Sequence, residues 1–92
     1  MEDRRLWMLL NQLAAQLGVE VRLEYLEDGE EFSSRGGLCR LGGRLVAFVD
    51  RRLGPQGRIR QLGAALKTLD LSGVYLRPAV REFLERELTG SE

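Results

Sequence analysis

Residues 36–54, GGLCRLGGRLVAFVDRRLG, decide how this chain folds. The stretch holds five glycines, one cysteine, an apolar run and four arginines. Three readings compete for it: a glycine-rich cradle for phosphates, a nucleic-acid-binding hairpin, or a tight turn between two strands. The spacing favours the turn. LCRL and RLVAFVD flank Gly42-Gly43. A two-residue type I′ turn needs positive φ at both central positions, which glycine adopts without steric cost. The register then sets Leu41 opposite Arg44, Cys39 opposite Val46 and Gly37 opposite Phe48 on one face. Arg40 lies opposite Leu45, and Leu38 opposite Ala47, on the other. Neither face is purely polar. A hairpin apolar on both faces is covered on both, lies at a sheet centre, or meets another chain.

The phosphate reading fails on spacing. A P-loop needs GxxxxGK[ST] between a strand and a helix, and no lysine precedes Lys67. A dinucleotide fingerprint opens a helix, whereas these glycines open a strand.

Working outward toward the N-terminus, VEVRLEY (19–25) alternates Val19, Val21, Leu23 and Tyr25 with Glu20, Arg22 and Glu24. That period of two predicts a half-buried strand with one wet face. Asp28-Gly29 within EDGE fits the centre of a second type I′ turn, and residues 31–37 read as either strand or loop. Before the strand, Leu6, Leu9, Leu10, Leu13, Ala14 and Leu17 recur at three and four residues and predict a helix. Glu2 and Asp3 suit its positive N-terminal end, and Gly18 is placed for a left-handed C-terminal cap. Trp7 lies off the centre of the stripe, where it covers the edge of the core or serves a partner.

Toward the C-terminus, Pro55 opens a second helix with Ile59, Leu62, Leu66 and Leu69 on its stripe, and Gly63 and Ala65 small beside it. DLSG (70–73) ends it. VYL (74–76) is a connector or a short strand. Pro78 opens a third helix, PAVREFLEREL, with Val80, Phe83, Leu84 and Leu88 on one side. The short link predicts an αα-hairpin packed on the sheet, and TGSE is expected to fray. The chain therefore reads as one α+β domain over residues 1–92: an N-terminal helix, a three-stranded antiparallel meander, and two C-terminal helices packed on the sheet.

Composition narrows the function. Ninety-two residues, 43% hydrophobic and 30% charged, suit one small globular domain. No apolar run approaches the roughly 20 residues of a membrane span. MEDRRLWMLL is a poor signal peptide, and one cysteine forms no internal disulfide, so a cytoplasmic address is expected. Thirteen arginines against one lysine fit a GC-rich, bacterial genome. Net charge is zero but segregated: −5 over residues 1–34, +7 over 35–67 and −2 over 68–92. This pattern either neutralises itself within the fold or a dimer, or offers a basic surface to an anionic partner.

There is no histidine, which removes His-activated nucleophiles, His general bases and nearly every zinc site. Cys39 reads as a buried inert thiol, since a reactive one wants an exposed, electropositive setting. Glu24, Glu27, Asp28, Glu30 and Glu31 lack the spacing of a calcium loop and read as solvated edge charges. No catalytic, cofactor-binding or metal-ligating residues are expected.

The order helix, small antiparallel sheet, helix resembles the front half of zinc peptidases of the ImmA/IrrE type. Their second helix carries HExxH; here it reads RIRQLGAALKTL, without histidine or acid. The resemblance implies a catalytically inactive relative.

Three functional expectations follow. The first is a non-enzymatic interaction or oligomerisation module, most simply a two-fold homodimer joined through Leu38, Leu45, Ala47, Val49 and Trp7, with Met8 at the margin. The second is an RNA- or DNA-binding domain using Arg35, Arg40, Arg44, Arg51, Arg52, Arg58 and Arg60. The third is the inactive peptidase relative, or an enzyme working with carboxylates alone.

Overall fold

The computed structural model describes residues 2–25 and 37–87. The Asp28-Gly29 turn, the strand-or-loop stretch up to Gly36, Arg35, Leu88 and the TGSE tail lie outside them. The described chain forms helix α1 (Asp3–Gln16), strands β1 (Val19–Glu24), β2 (Leu38–Leu41) and β3 (Arg44–Asp50), helix α2 (Pro55–Lys67) and a short helix α3 (Pro78–Glu82). The last runs directly into a π-helical turn, Phe83–Glu87. The protein is an α+β fold with an N-terminal helix, a three-stranded sheet and two C-terminal helices packed over it.

The local signals act as their chemistry requires. Gly18 takes φ +74° just past α1, and Gly42 and Gly43 take +55° and +81° in the β2–β3 turn. The hairpin register pairs Leu41 with Arg44, Arg40 with Leu45, Cys39 with Val46 and Leu38 with Ala47. The Phe48 N–H donates to the Gly37 carbonyl at 2.8 Å, which extends the pairing by one residue.

The sheet order corrects the antiparallel meander. The strands lie in the order β1-β3-β2, and β1 runs parallel to β3, with Val19 beside Leu45, Val21 beside Ala47 and Leu23 beside Val49. The reason lies in the strands themselves. β3 carries apolar side chains on both faces, and the central position pairs both its edges. β1 carries Glu20, Arg22 and Glu24 on its outward face and suits an edge. Parallel neighbours need a connection of a dozen residues or more, and residues 25–43 supply it while contributing β2.

Alternation then sorts the faces. Val19, Val21 and Leu23 of β1, Leu38 of β2, and Leu45, Ala47 and Val49 of β3 point toward the helices. There they meet Leu6, Leu9, Leu10, Leu13 and Ala14 of α1 and Ile59, Leu62, Ala65 and Leu66 of α2. Val80, Phe83 and Leu84 close the core from α3 and its π-turn, which rest on α1 and α2 rather than forming a separate hairpin with α2. Residues 68–77 link α2 to α3 without a further strand. Lys67, the only lysine, donates to the Leu84 carbonyl at 2.9 Å and ties the π-turn to the end of α2. Among the described residues no helix is long and apolar enough to cross a membrane.

Candidate interaction surface

The residues expected at a dimer interface belong to the chain's own core. Ala47 and Val49 are fully buried, and Leu38, Leu45 and Trp7 are half-buried against the same cluster. The helices cover that face of the sheet, so it offers no free surface. The opposite face carries the other apolar set. Val46 is only 2% exposed there, between its register partners Glu20 and Cys39. Cys39 and Phe48 are half-buried. Glu20 pairs with both Arg22 (3.2 Å) and Arg44 (3.4 Å), and the Arg22 guanidinium stands 6.0 Å from the Phe48 ring.

The basic middle segment is largely occupied with the fold. Arg58 donates through Nε to the Leu53 carbonyl at 2.9 Å and through Nη2 to the Arg51 carbonyl at 2.8 Å. It thereby staples the loop between β3 and α2. Arg52 pairs with Asp50 through Nε and Nη2 at 3.1 and 3.0 Å. Arg44 is paired with Glu20, and Arg51 lies 6.0 Å from the Tyr25 ring. Arg40 and Arg60 are exposed. Of the seven candidate arginines, Arg51, Arg52 and Arg58 are brought together in one loop region. Arg40 and Arg44 sit at the far hairpin, and Arg35 lies outside the described residues.

Clefts mark the surface of the described residues. One of about 370 Å³ lies where Asp3, Gln56, Arg60, Glu82 and Arg86 meet. Two acids and two bases line it, and Arg86 pairs with Glu82 at 3.4 Å. Among the described residues, no group of three or more Asp, Glu, Cys or His side chains is placed to hold a metal. Asp70 is held below the ordinary carboxylate range, first by the Ser72 backbone N–H and then by the Ser72 side chain. It stands in the exposed α2–α3 link, where the Ser72 N–H donates to its Oδ1 at 3.0 Å.

A different surface stands out. From Leu6 to Val19 the chain has no charged residue, although 30% of the whole sequence is charged. Part of that run is the buried face of α1. Its exposed residues on α1 are Met8, Gln12, Ala15 and Gln16. Met8 is 49% exposed on a helix that already buries a full stripe. Beside this row runs a groove of about 250 Å³, lined by Leu9, Gln12, Gln16, Tyr75, Leu76 and Val80, with Arg77 as its one charged residue. Tyr75, 72% exposed, forms its outer lip. Sequence reasoning placed Met8 only at the margin of an interface and passed over Gln12, Gln16 and Tyr75. The signal that finds them is the missing charge, because interface centres are depleted of charged residues rather than simply apolar.

The fold and this surface define a small α+β domain with an uncharged exposed row on α1. Comparison with protein-family models, curated proteins and solved structures finds no match for the chain.

Proposed function

We propose that this protein is a non-enzymatic interaction module whose working surface is the outer face of α1 together with Tyr75. The observation that carries this reading is the uncharged exposed row Met8, Gln12, Ala15 and Gln16 on a heavily charged chain. A solvated helix face ordinarily carries Lys, Arg and Glu, which keep it wet. A face of Met, Gln and Ala loses little on desolvation. Its amides still supply hydrogen bonds, and Met adapts its shape to a partner.

Photo-crosslinking tests the reading. A benzophenone amino acid replaces Met8 in one variant and Arg40, on the far edge of the sheet, in another. Both are irradiated in extract of the native cells. Protein adducts at Met8 and few at Arg40 are expected. Equal yields at both positions, or adducts at Arg40 alone, would overturn the reading.

A second reading is nucleic-acid binding through the loop after β3, supported by the exposed Arg51 guanidinium beside the Tyr25 ring. Such pairs suit a phosphate and a stacked base. Binding of a fluorescent single-stranded oligonucleotide would then weaken log-linearly with salt. Arg51→Gln would weaken all sequences alike. Salt-independent binding would reject this second reading.

A further inference from the structure

The cleft of about 370 Å³ between α1, α2 and the π-turn has an apolar floor and a rim of both charges. Leu6, Ile59 and Phe83 form the floor and are 8%, 3% and 5% exposed, so the core itself lines it. Asp3, Gln56, Arg60, Glu82 and Arg86 form the rim. An apolar lining with a few polar groups around it is the usual make-up of a small-molecule site, and such sites span about 300–1,000 Å³.

Several rim groups have hydrogen-bonding capacity to give. Among the described residues, the Asp3 carboxylate and the Gln56 amide have no hydrogen-bond or ion-pair partner. Arg86 meets Glu82 through Nη1, with the two side chains 77% and 62% exposed. So exposed a pair contributes little, and Nε and Nη2 of Arg86 remain for another acceptor. The π-turn, Phe83–Glu87, brings both Phe83 and Arg86 to the cleft. Turns of this kind are rare and frequently mark functional sites. Lys67 holds this one through the Leu84 carbonyl at 2.9 Å, so the wall is set before a ligand arrives.

We propose that this cleft binds the zwitterion of an apolar α-amino acid. The charges make the choice. Two acids and two bases line the rim, and the charged residues next to them in sequence, Glu2, Arg4, Arg81, Glu85 and Glu87, are again of both signs. An ion of one sign is attracted by one pair and repelled by the other. A molecule with ammonium and carboxylate on one carbon is attracted by both, and its side chain covers the apolar floor. Asp3 receives the ammonium. Arg86 and the Gln56 amide receive the carboxylate, with Arg60 adding positive charge to the rim. Glu82 keeps the Arg86 side chain at the cleft. Met8, Gln12 and Gln16 have no part in this cleft, so the inference is independent of the interaction reading.

Nuclear magnetic resonance titration of the whole chain tests it, with leucine as the probe. Leucinamide, which lacks the carboxylate, and 4-methylpentanoate, which lacks the ammonium, are titrated in parallel. Leucine should shift the amide signals of Asp3, Gln56, Ala79 and Phe83 and saturate with a Kd on the order of 1 mM, as suits a ligand of so few atoms. Each half-ligand should bind about tenfold more weakly or worse. Asp3→Asn and Arg86→Gln should weaken leucine by a similar factor, and Arg40→Gln, on the far edge of the sheet, should leave it unchanged. No leucine shifts in the cleft would overturn the proposal. Leucinamide binding as tightly as leucine would also overturn it, in favour of a peptide N-terminus, and 4-methylpentanoate doing so would reduce the site to one for simple carboxylates. These comparisons use the wild-type chain, so they decide the matter even where a variant folds poorly.

Discussion

The Gln61 side chain of α2 accepts the backbone N–H of Asp50 through Oε1 at 2.6 Å, so one amide joins the helical layer to the end of the central strand. The Asp50 N–H is partly buried, and leaving such a donor unsatisfied costs about 1–3 kcal/mol. Gln61→Leu should therefore lower stability by about 1–2 kcal/mol, while Gln61→Glu, which keeps an acceptor, should cost less. Urea denaturation of the three proteins checks the order. Equal midpoints for Leu and Glu would show that the bond contributes nothing.

The three hairpin glycines should differ. Gly42 and Gly43 face open space, so substitution meets only the positive φ. Gly42→Ala and Gly43→Ala should each cost about 1 kcal/mol, and Val at either position about 1–3 kcal/mol. Gly37 also takes positive φ, +85°, but a Cβ there would collide with the Phe48 carbonyl oxygen. That backbone cannot retreat without straining the bond from the Phe48 N–H to the Gly37 carbonyl. Gly37→Ala should be the most damaging of the alanine variants, above about 3 kcal/mol. Thermal midpoints in the order Gly42 ≈ Gly43 > Gly37 are expected, and a Gly37→Ala midpoint equal to the others would refute the close approach.

Arg58 ties the β3–α2 loop together through the Leu53 and Arg51 carbonyls. Replacing it with Met keeps much of the stem and removes the donors to Leu53 and Arg51. The expected loss is about 1–2 kcal/mol, reduced from the usual value for charged hydrogen bonds by partial exposure. Hydrogen exchange should quicken in residues 51–54. Unchanged exchange there would assign the stapling to other contacts.

Asp70 gives the stability a pH dependence of known sign. Its folded carboxyl titrates below the unfolded value because the Ser72 N–H bonds the ionised form. Its contribution is thus present above the unfolded value, about 4, and is lost as pH falls through the lower folded value. Asp70→Ala should lower the melting temperature at neutral pH, and the gap to wild type should close in acid. A gap that persists unchanged well below pH 3 would contradict the linkage.

What the sequence determined by itself is local. The period-3.6 rows of α1 and α2, the period-2 alternation of β1, and the Gly42-Gly43 turn with its register could be read directly. Each depends on residues a few positions apart, whose φ/ψ preferences and facing are set by covalent chemistry. The absence of histidine and its associated chemistry is equally direct. Only tertiary structure decided the rest. Whether β1 pairs with β2 or β3 depends on which strand gains most from being covered on two edges, a competition between segments 14 residues and more apart. Which face of the hairpin the helices cover was equally open, because Leu45, Ala47 and Val49 are no more apolar than Val46 and Phe48. The helices chose the former, and that choice turned an expected interface into core. The uncharged run from Leu6 to Val19 was legible all along. Its division into a buried stripe and an exposed row, and its neighbour Tyr75, required α1, the α2–α3 link and α3 to be packed together, because exposure is a property of the assembled surface and not of the residue.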